Sequence, residues 1–331
     1  MTALRPLSPD DGPDVYALLQ SIPAEENGLM NAAHGMDFEQ YRAWLRAQYE
    51  SARQVGLRDG YKVPQTTYWL VADGRPVGLG RLRHFLTAAL REDGGNLAYA
   101  VAPAERGKGY GKAILRGLIA EAGRLGLDRA LLVIHEDNAP SLRTALSCGG
   151  RVARTENGRH YVWVACESAL RVEPTDDREL FANLFNVYIN ELAAYRPRLG
   201  RGVDARGNML PQVVTEDFTD PCKHPCVIRL GEKPVGLLVW SEPGPADEAD
   251  GCACYVEELF ILPSFRRLGL GEQALRACLA RRHGVCGACI YKANEASQRL
   301  LERVCAAGQI PLRRGDGADA GMYFYRAALD G

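Results

Sequence analysis

The sequence has no surplus of charge of either sign. It contains 40 lysines and arginines against 41 aspartates and glutamates, which gives a formal net charge of −1. Proteins that bind nucleic acid or acidic membranes through a basic surface usually carry a clear positive excess. The composition therefore gives no support for a nucleic-acid partner or a membrane partner.

Long hydrophobic runs are also missing. No apolar stretch is long enough to span a bilayer, and the first residues, "MTALRPLSPDD", lack the basic segment and apolar run of a signal peptide. Apolar residues still make up 47% of the chain, which is ordinary for a protein with packed cores. We expect a soluble, cytoplasmic protein whose 331 residues form two domains.

Cysteine is scarce in the first half of the chain, where Cys148 and Cys166 are the only ones before residue 169. The later cysteines include two closely spaced pairs, Cys222 with Cys226 and Cys286 with Cys289. Four such thiols are the right residue types for a structural zinc site. The pairs fall in different predicted elements, however, and Cys289 fits a strand core. We therefore expect reduced thiols and no metal.

The chain repeats itself. Four patterns recur in the same order and at nearly constant separation: "ALRPLSPDD" (3–11) and "ALRVEPTDD" (169–177), "PVGL" at 76–79 and 234–237, P-x-x-R-x-x-G-x-G at 103–111 and 263–271, and Asn138-x-x-Ser141 and Asn294-x-x-Ser297. Such regularity indicates two copies of one domain. We predict domains at 1–167 and 168–331.

Each copy predicts the same order of elements. The predicted elements are a short strand (3–7; 169–173), an Asp-Asp turn that can cap a helix, helices (11–20 and 37–55; 177–195), a β-hairpin turning at Asp73-Gly74 or near Gly231, a fourth strand (96–103; 255–263), a helix (109–125; 269–282), a buried strand, a helix starting near Asn138 or Asn294, and a closing hairpin that turns at Asn157-Gly158 in the first copy. This order predicts an α/β (α+β) fold in which helices flank a mixed, largely antiparallel sheet.

The repeated glycine loop fits neither of two common phosphate-binding motifs. A Walker loop ending at Gly111-Lys112 needs glycine at Arg106, and a G-x-G-x-x-G motif starting at Gly107 needs glycine at Lys112. A glycine-rich turn between a strand and a helix nevertheless exposes backbone amides at a helix N-terminus, where an anion is stabilised. The alternative is a tight turn with a glycine cap, which the second copy in the same context disfavours.

Because each copy has this loop between the fourth strand and the following helix, both copies, and so essentially the whole chain, resemble the GNAT acyltransferase family (Gcn5-related N-acetyltransferases). The first copy is most similar to a bacterial subgroup of acetyltransferases of unknown acceptor. The segments that carry the likeness are "EENGLMN" (25–31), "GYKVPQTTYWLV" (60–71), "LRHFL" (82–86) and "AYAVAPAERGKGYG" (98–111). The resemblance implies two tandem domains, each with a splayed fourth strand, and acetyl-CoA as co-substrate.

The resemblance also implies which residues bind acetyl-CoA. The loop would bind its pyrophosphate, the splayed strand its pantetheine and acetyl groups, and the asparagine after the fifth strand its arm. The matching residues in the first copy are Ala100, Val101, Ala102, Arg106, Gly107, Lys108, Gly109, Tyr110, Gly111, Lys112, Asn138 and Ser141. Those in the second copy are Phe260, Ile261, Leu262, Arg266, Arg267, Leu268, Gly269, Leu270, Gly271, Asn294 and Ser297.

Direct acyl transfer needs a base to deprotonate the amine. In the second copy Glu257 stands where the family has a carboxylate before the loop arginine, and Glu258 is the alternative on the opposite face. The first copy has no acid there. Its candidates are Tyr99, His84, His135 and Glu136, together with Glu25 and Glu26 in a predicted helical lid, which could also attract a cationic substrate. The alternative for each is a solvated or structural side chain.

Both copies depart from the family at the tyrosine that serves as general acid in many members. Ala145 and Leu301 occupy that position. Tyr161 and Tyr323 are possible replacements, although both also fit a core strand.

Three functions remain open. The first is an N-acetyltransferase acting on a primary amine of a small molecule or peptide, as a monomer or homodimer. The second is a division of labour, with one catalytic copy and one copy that only binds CoA or acts as a scaffold. The third is an acyl-CoA-responsive binding module without turnover.

Overall fold

The computed structural model describes residues 2–53, 63–195, 204–205, 207, 211–244 and 251–329. The chain divides into two compact units, Met1–Ser168 and Ala169–Gly331. None of the helices in the described ranges has the length and hydrophobicity that a bilayer crossing requires.

The described residues of the first unit form α-helices and β-strands in the following order. They are β1 (Thr2–Pro6), α1 (Pro13–Ser21), β2 (Glu25–Glu26), β3 (Leu29–Met30), α2 (Phe38–Ser51), β4 (Gln65–Ala72), β5 (Arg75–Arg83), α3 (Ala88–Glu92), β6 (Leu97–Val101), α4 (Tyr110–Arg124), β7 (Arg129–His135), α5 (Ala139–Ser147), β8 (Arg151–Glu156) and β9 (Arg159–Ala165). Strands β1-β4-β5-β6 form one antiparallel sheet and β7-β9-β8 form a second.

The second unit follows the same plan. It contains β10 (Leu170–Pro174), α6 (Arg178–Leu192), α7 (Pro211–Thr219), β11 (Lys223–Leu230), β12 (Lys233–Ser241), β13 (Cys254–Ile261), α8 (Leu270–Leu279), β14 (Gly284–Tyr291), α9 (Glu295–Ala307), β15 (Leu312–Asp316) and β16 (Met322–Leu329). Its strands form one sheet in the order β10-β11-β12-β13-β14-β16-β15.

The predicted splayed strand is present in both units. In the first, Asn96, which directly precedes β6, bonds to β7: its N–H donates to Leu131 O (2.7 Å) and its Oδ1 accepts from Leu131 N (3.0 Å). Gly95 allows this approach, because a Cβ there would lie 2.4 Å from Leu131 O. In the second unit, β13 and β14 pair in parallel only over Cys254–Cys286 and Tyr255–Gly287. Beyond these points the two strands separate and leave a free strand edge.

Hydrophobic cores lie on both faces of the first sheet. The helix α4 buries Ile114, Leu115 and Leu118 against one face. The other face is covered by α1, α2 and the β2–β3 hairpin, around a fully buried Trp69. The turns at Asp73-Gly74 and Asn157-Gly158 have positive φ at both residues, as predicted for two-residue hairpins.

Two expectations for local structure were wrong. Residues 25–30 form the β2–β3 hairpin rather than part of a helical lid. The Asp-Asp turn caps a helix only in the second unit, where Asp177 accepts from Leu180 N (3.0 Å). The short α3 and α7 were not predicted, and part of "GYKVPQTTYWLV" lies outside the described residues.

In the first unit, Asp11 has a different task. The residue is 7% exposed. Its carboxylate accepts hydrogen bonds from Arg5 Nη1 (2.5 Å), Ser8 N (2.9 Å) and Trp69 Nε1 (2.5 Å). It therefore ties the first strand, the turn and the buried indole together.

We predict that Asp11→Ala lowers the free energy of unfolding of the first unit by about 2–4 kcal/mol, because the indole N–H and the guanidinium lose a buried acceptor. Chemical denaturation measures the change. The control is Asp10→Ala, whose side chain is exposed. Equal losses in the two variants would contradict this role.

Candidate active site

The glycine loop of the first unit is an open cradle of backbone. After β6, a 3-10 turn at Pro103–Glu105 leads to Gly107 (φ +79°) and Gly109 (φ +83°), and α4 begins at Tyr110. A Cβ at either glycine would meet no atom within 4 Å. The glycines are thus required by the left-handed backbone, and the space beside the helix N-terminus is free for an anion.

The free edge of β6 presents backbone amides to the same space. Ala102 N–H donates to Val77 O on the β5 side (3.0 Å). Because hydrogen-bonding groups alternate along a strand, the amides of Tyr99 and Val101 face the free edge.

A cleft of about 710 Å³ joins the loop to this edge. It runs from the glycine loop past β6 and β7 to Arg83 and Asp93, near the point where the two strands meet. The predicted site residues that line it are Glu26, Tyr99, Ala100, Val101, Arg106, Gly107, Gly109, Tyr110, Gly111, Lys112, His135, Asn138 and Ser141.

Tyr99 and Ser141 are in contact inside this cleft. The Tyr99 hydroxyl lies 3.2 Å from Ser141 Oγ, and burial raises the pKa of the phenol above its usual value. The phenol therefore stays protonated at neutral pH. Asn138 caps α5 by accepting from Ser141 N (3.2 Å), which positions Ser141.

The β2–β3 hairpin forms one wall of the cleft. Arg106 donates to both carboxylate oxygens of Glu26 (2.9 and 2.5 Å), and its Nε donates to Val101 O (3.2 Å). The turn of the hairpin lies against the half-buried His135, since a Cβ on Gly28 would be 2.9 Å from His135 Nε2. Arg106 thus links the hairpin to the end of β6.

Other predicted residues of the first unit lie outside the cleft lining. His84 bonds to Thr66 Oγ1 (2.8 Å), and burial lowers the pKa of its imidazole to about 4. Lys108 pairs with Glu105 (2.7 Å). Glu25 and Glu136 are exposed, and Ala102 is buried in the core on the opposite face of the sheet. The structure does not bring these residues into the cleft.

Sequence reasoning missed Arg83 and Asp93 at the inner end of the cleft. Arg83 Nη1 donates to Gly94 O (2.9 Å) and Gly95 O (3.1 Å), and Asp93 pairs with Arg159 (3.4 Å). The only signal was "DGG" at 93–95, a turn of the kind that lets one strand approach another.

The second glycine loop has the same frame and different details. Gly269 keeps the left-handed conformation (φ +79°), but Arg267 replaces Gly107 and has φ +70°, which costs about 1–2 kcal/mol for a residue with a Cβ. Arg266 repeats the clamp of Arg106, with Nε donating to Ile261 O (2.9 Å) and Nη2 to Glu191 (2.7 Å). Leu268 and Leu270 are buried.

The second unit holds a cavity of about 270 Å³ within its splay. Among the predicted residues, Glu257, Glu258, Asn294 and Ser297 line it. No residue of 266–271 lines this cavity, and Phe260, Ile261 and Leu262 do not either.

The two adjacent carboxylates of β13 occupy different environments. Glu257 is the extra residue of a β-bulge, is exposed, and accepts from Ser241 Oγ (2.6 Å). Glu258 accepts a hydrogen bond from the Tyr188 hydroxyl, and its burial raises the pKa of its carboxyl to about 8, with Asp217 and Glu257 adding to the rise. A carboxyl with such a pKa can exchange a proton near neutrality.

The predicted metal ligands and replacement tyrosines lie as follows. Across the described ranges, no group of three or more His, Cys, Asp or Glu side chains could hold a metal ion. Cys289 is exposed rather than in a strand core. Ala145 and Leu301 are buried, and Tyr161 is a core residue whose hydroxyl donates to Glu92 O (2.9 Å). Tyr323 is partly buried and packs against Arg314.

The chain matches two models of known protein families. Residues 2–151 match the family model described as acetyltransferase (GNAT) domain, and residues 191–306 match that described as acetyltransferase (GNAT) family. No curated protein matches the chain significantly.

Solved structures resemble about half of the chain. An acetyltransferase from Thermus thermophilus is 21% identical over 48% of this chain and 96% of its own, with a TM-score of 0.37. The putative acetyltransferase yncA from Salmonella typhimurium, solved with acetyl-CoA, is 18% identical over 50% of this chain and 93% of its own, with a TM-score of 0.36. Campylobacter jejuni PseH, solved with acetyl coenzyme A, is 12% identical over 50% of this chain and 99% of its own, with a TM-score of 0.34.

We predict that Glu258 makes the second unit less stable as pH rises. The folded state keeps this proton up to about pH 8, whereas an unfolded glutamate loses it near about pH 4.3. Between these values the folded state binds the extra proton, so stability falls with increasing pH.

Thermal unfolding across this range should show a steeper fall in the native protein than in Glu258→Gln. The control is Glu302→Gln, which changes an exposed carboxylate on α9 and should keep the native slope. Parallel curves for the native protein and Glu258→Gln would contradict the shifted pKa.

Proposed function

We propose, on the premise that the chain belongs to the GNAT acetyltransferase family and carries two of its domains in tandem, that it transfers an acetyl group from acetyl-CoA to a primary amine of a small molecule or peptide. The observation that carries the proposal is the open glycine cradle of the first unit, which continues into a cleft of about 710 Å³ beside a free strand edge. Acetyl-CoA would supply the thioester whose acyl group is transferred.

The residues of the first unit fit such a donor. The amides of Gly107–Gly111, beside the N-terminus of α4, suit a pyrophosphate, and Lys112 adds positive charge. The amides of Tyr99 and Val101 on the free edge suit carbonyl oxygens, including an oxygen that gains negative charge during acyl transfer. Asn138 and Ser141 would border the pantetheine arm.

Two side chains of the cleft suit the proton transfers. An amine must lose a proton to attack, and the imidazole of His135 lines the cleft where it can accept one. The protonated phenol of Tyr99, held by Ser141, can donate a proton or hydrogen bond to the leaving sulfur. Tyr99 would thus act as the general acid, a role that Ala145 cannot fill because its side chain has no proton to donate.

The first unit is our choice for the catalytic domain, with the second as a binding or scaffold copy. In the second unit the cavity of about 270 Å³ does not reach the glycine loop, and Arg267 stands where the first loop has Gly107. Glu258 favours the second unit instead, because the raised pKa of its carboxyl suits a catalytic base. The proposal therefore needs a test that treats the two loops separately.

We predict that Gly109→Glu lowers kcat/KM for acetyl-CoA by at least about 100-fold, because a carboxylate would occupy the space of an anionic donor. Gly269→Glu should change it by less than about threefold. Release of free thiol from acetyl-CoA, measured with a panel of amines, gives both values. Gly109→Ala controls for backbone strain without the added charge.

Equal partial losses in the two glutamate variants would contradict the choice of the first unit. Binding of CoA without turnover of any amine would contradict the enzyme and favour an acyl-CoA-responsive binding module.

We predict that Tyr99→Phe lowers kcat by about 10- to 1,000-fold with little change in KM for acetyl-CoA, because the variant keeps the ring and loses only the proton donor. Steady-state thiol release measures both constants. The control is Tyr161→Phe, which removes a hydroxyl directed at Glu92 O and should leave kcat unchanged. An unchanged kcat in Tyr99→Phe would remove Tyr99 from the mechanism.

A further inference from the structure

A polar patch lies on the sheet face that α1, α2 and the β2–β3 hairpin cover. Thr67 on β4 is directly opposite Arg81 on β5, and Arg81 is opposite Ala98 on β6. Thr67 is only 3% exposed. Its Oγ1 and the Nε of Arg81 are both buried, and neither has a hydrogen-bond partner among the residues that the structure describes.

Arg81 carries a positive charge without a counter-ion in the described part of the chain. Its one hydrogen bond there is from Nη1 to Met30 O (2.6 Å). Arg83, two positions along the same strand face, adds a second positive charge, and burial together with Arg83 lowers the pKa of Arg81 to about 10. A buried charge is costly unless a charge of opposite sign accompanies it.

Other arginines of the same domain show what a structural arginine looks like here. Arg5 pairs with Asp11, Arg106 with Glu26 and Arg154 with Glu92. Each of these guanidinium groups has a carboxylate at ion-pair distance. Arg81 differs from these three because no carboxylate among the described residues lies at ion-pair distance from it, and it differs from Arg83, whose guanidinium donates to two backbone carbonyls, because only one such hydrogen bond holds it.

The position of Arg81 connects it with the cleft. Ala98, opposite it on β6, and Arg83, beyond it on β5, both line the cleft. The hairpin residue Leu29 lines it as well, next to the Met30 carbonyl that Arg81 contacts. Neither Arg81 nor Thr67 lines the cleft itself, but Arg81 lies directly beside these lining residues, on the hairpin side of its inner end.

We propose that Arg81, together with Thr67, binds an anionic group of the acceptor, so that the acceptor is an amine that also carries a carboxylate or a phosphate. This inference rests on the proposed acetyltransferase function and names the substrate class of the same site. A guanidinium suits either anion through paired N–H donors. A polyamine would instead bring more positive charge to Arg81 and Arg83.

The test compares amines that differ only in the anion. Alanine is paired with ethylamine and lysine with cadaverine for the carboxylate, and phosphoethanolamine with ethanolamine for the phosphate. We expect at least one anionic member to have a kcat/KM about 10- to 100-fold above that of its partner. In Arg81→Gln this preference should disappear through a higher KM for the amine, with KM for acetyl-CoA unchanged.

Three further variants complete the experiment. Arg81→Lys keeps the charge without the paired donors and should retain part of the preference, and Thr67→Val should lose a smaller part. Arg75→Gln, at the exposed start of the same strand, should behave as the native protein. The melting temperature of Arg81→Gln without ligand should fall by no more than about 4 °C, because the variant loses one hydrogen bond to Met30 O and no ion pair among the described residues; a larger fall would indicate a structural arginine and overturn the inference.

The failure of this inference is distinguishable from failure of the proposed function. If ethylamine, cadaverine and ethanolamine are acetylated as well as their anionic partners, the inference is overturned and the acetyltransferase stands. If no amine is acetylated, calorimetry with N-acetylalanine and N-ethylacetamide still tests Arg81. Binding of N-acetylalanine alone, lost in Arg81→Gln, would support the anion site, and equal or no binding of both would overturn it.

Discussion

The contact between Asn96 and Leu131 is the constraint on which the cleft of the first domain depends. Asn96, which is 2% exposed, bonds to both the N–H and the C=O of Leu131, and its Nδ2 donates to Arg83 O (3.1 Å). It thereby joins β5, β6 and β7 at one point. Because the two strands are held only there, β6 keeps a free edge whose amides face the cleft.

The second domain reaches a similar splay by a different contact. Two backbone pairs between β13 and β14 replace the asparagine side chain. The cavity there is smaller, and of the two carboxylates that line it, Glu258 accepts a hydrogen bond from Tyr188. Duplication has kept the loop frame, the arginine clamp and the asparagine helix caps, while the space around the loop has diverged.

The sequence was sufficient for features that depend on local chemistry. Repeats, hairpin turns such as Asp73-Gly74 and the glycine loop follow from short patterns with a direct physical cause, and the family resemblance supplied the splayed strand. Features that depend on distant contacts were not accessible. Arg81 has as neighbours Thr67, Ala98 and Met30, which are distant in sequence and not acidic, so its lack of a counter-ion among the described residues is visible only in the structure. Asp11 stands where the sequence predicts a helix cap, but it is buried beside Trp69 and accepts a hydrogen bond from the indole instead.

We infer that the first domain, and not the second, holds the acyl donor. Isothermal titration calorimetry of the full chain with CoA tests it most directly, because the two loops would otherwise contribute two sites. CoA should bind at one site per chain. Two equivalent sites, or no binding, would contradict it.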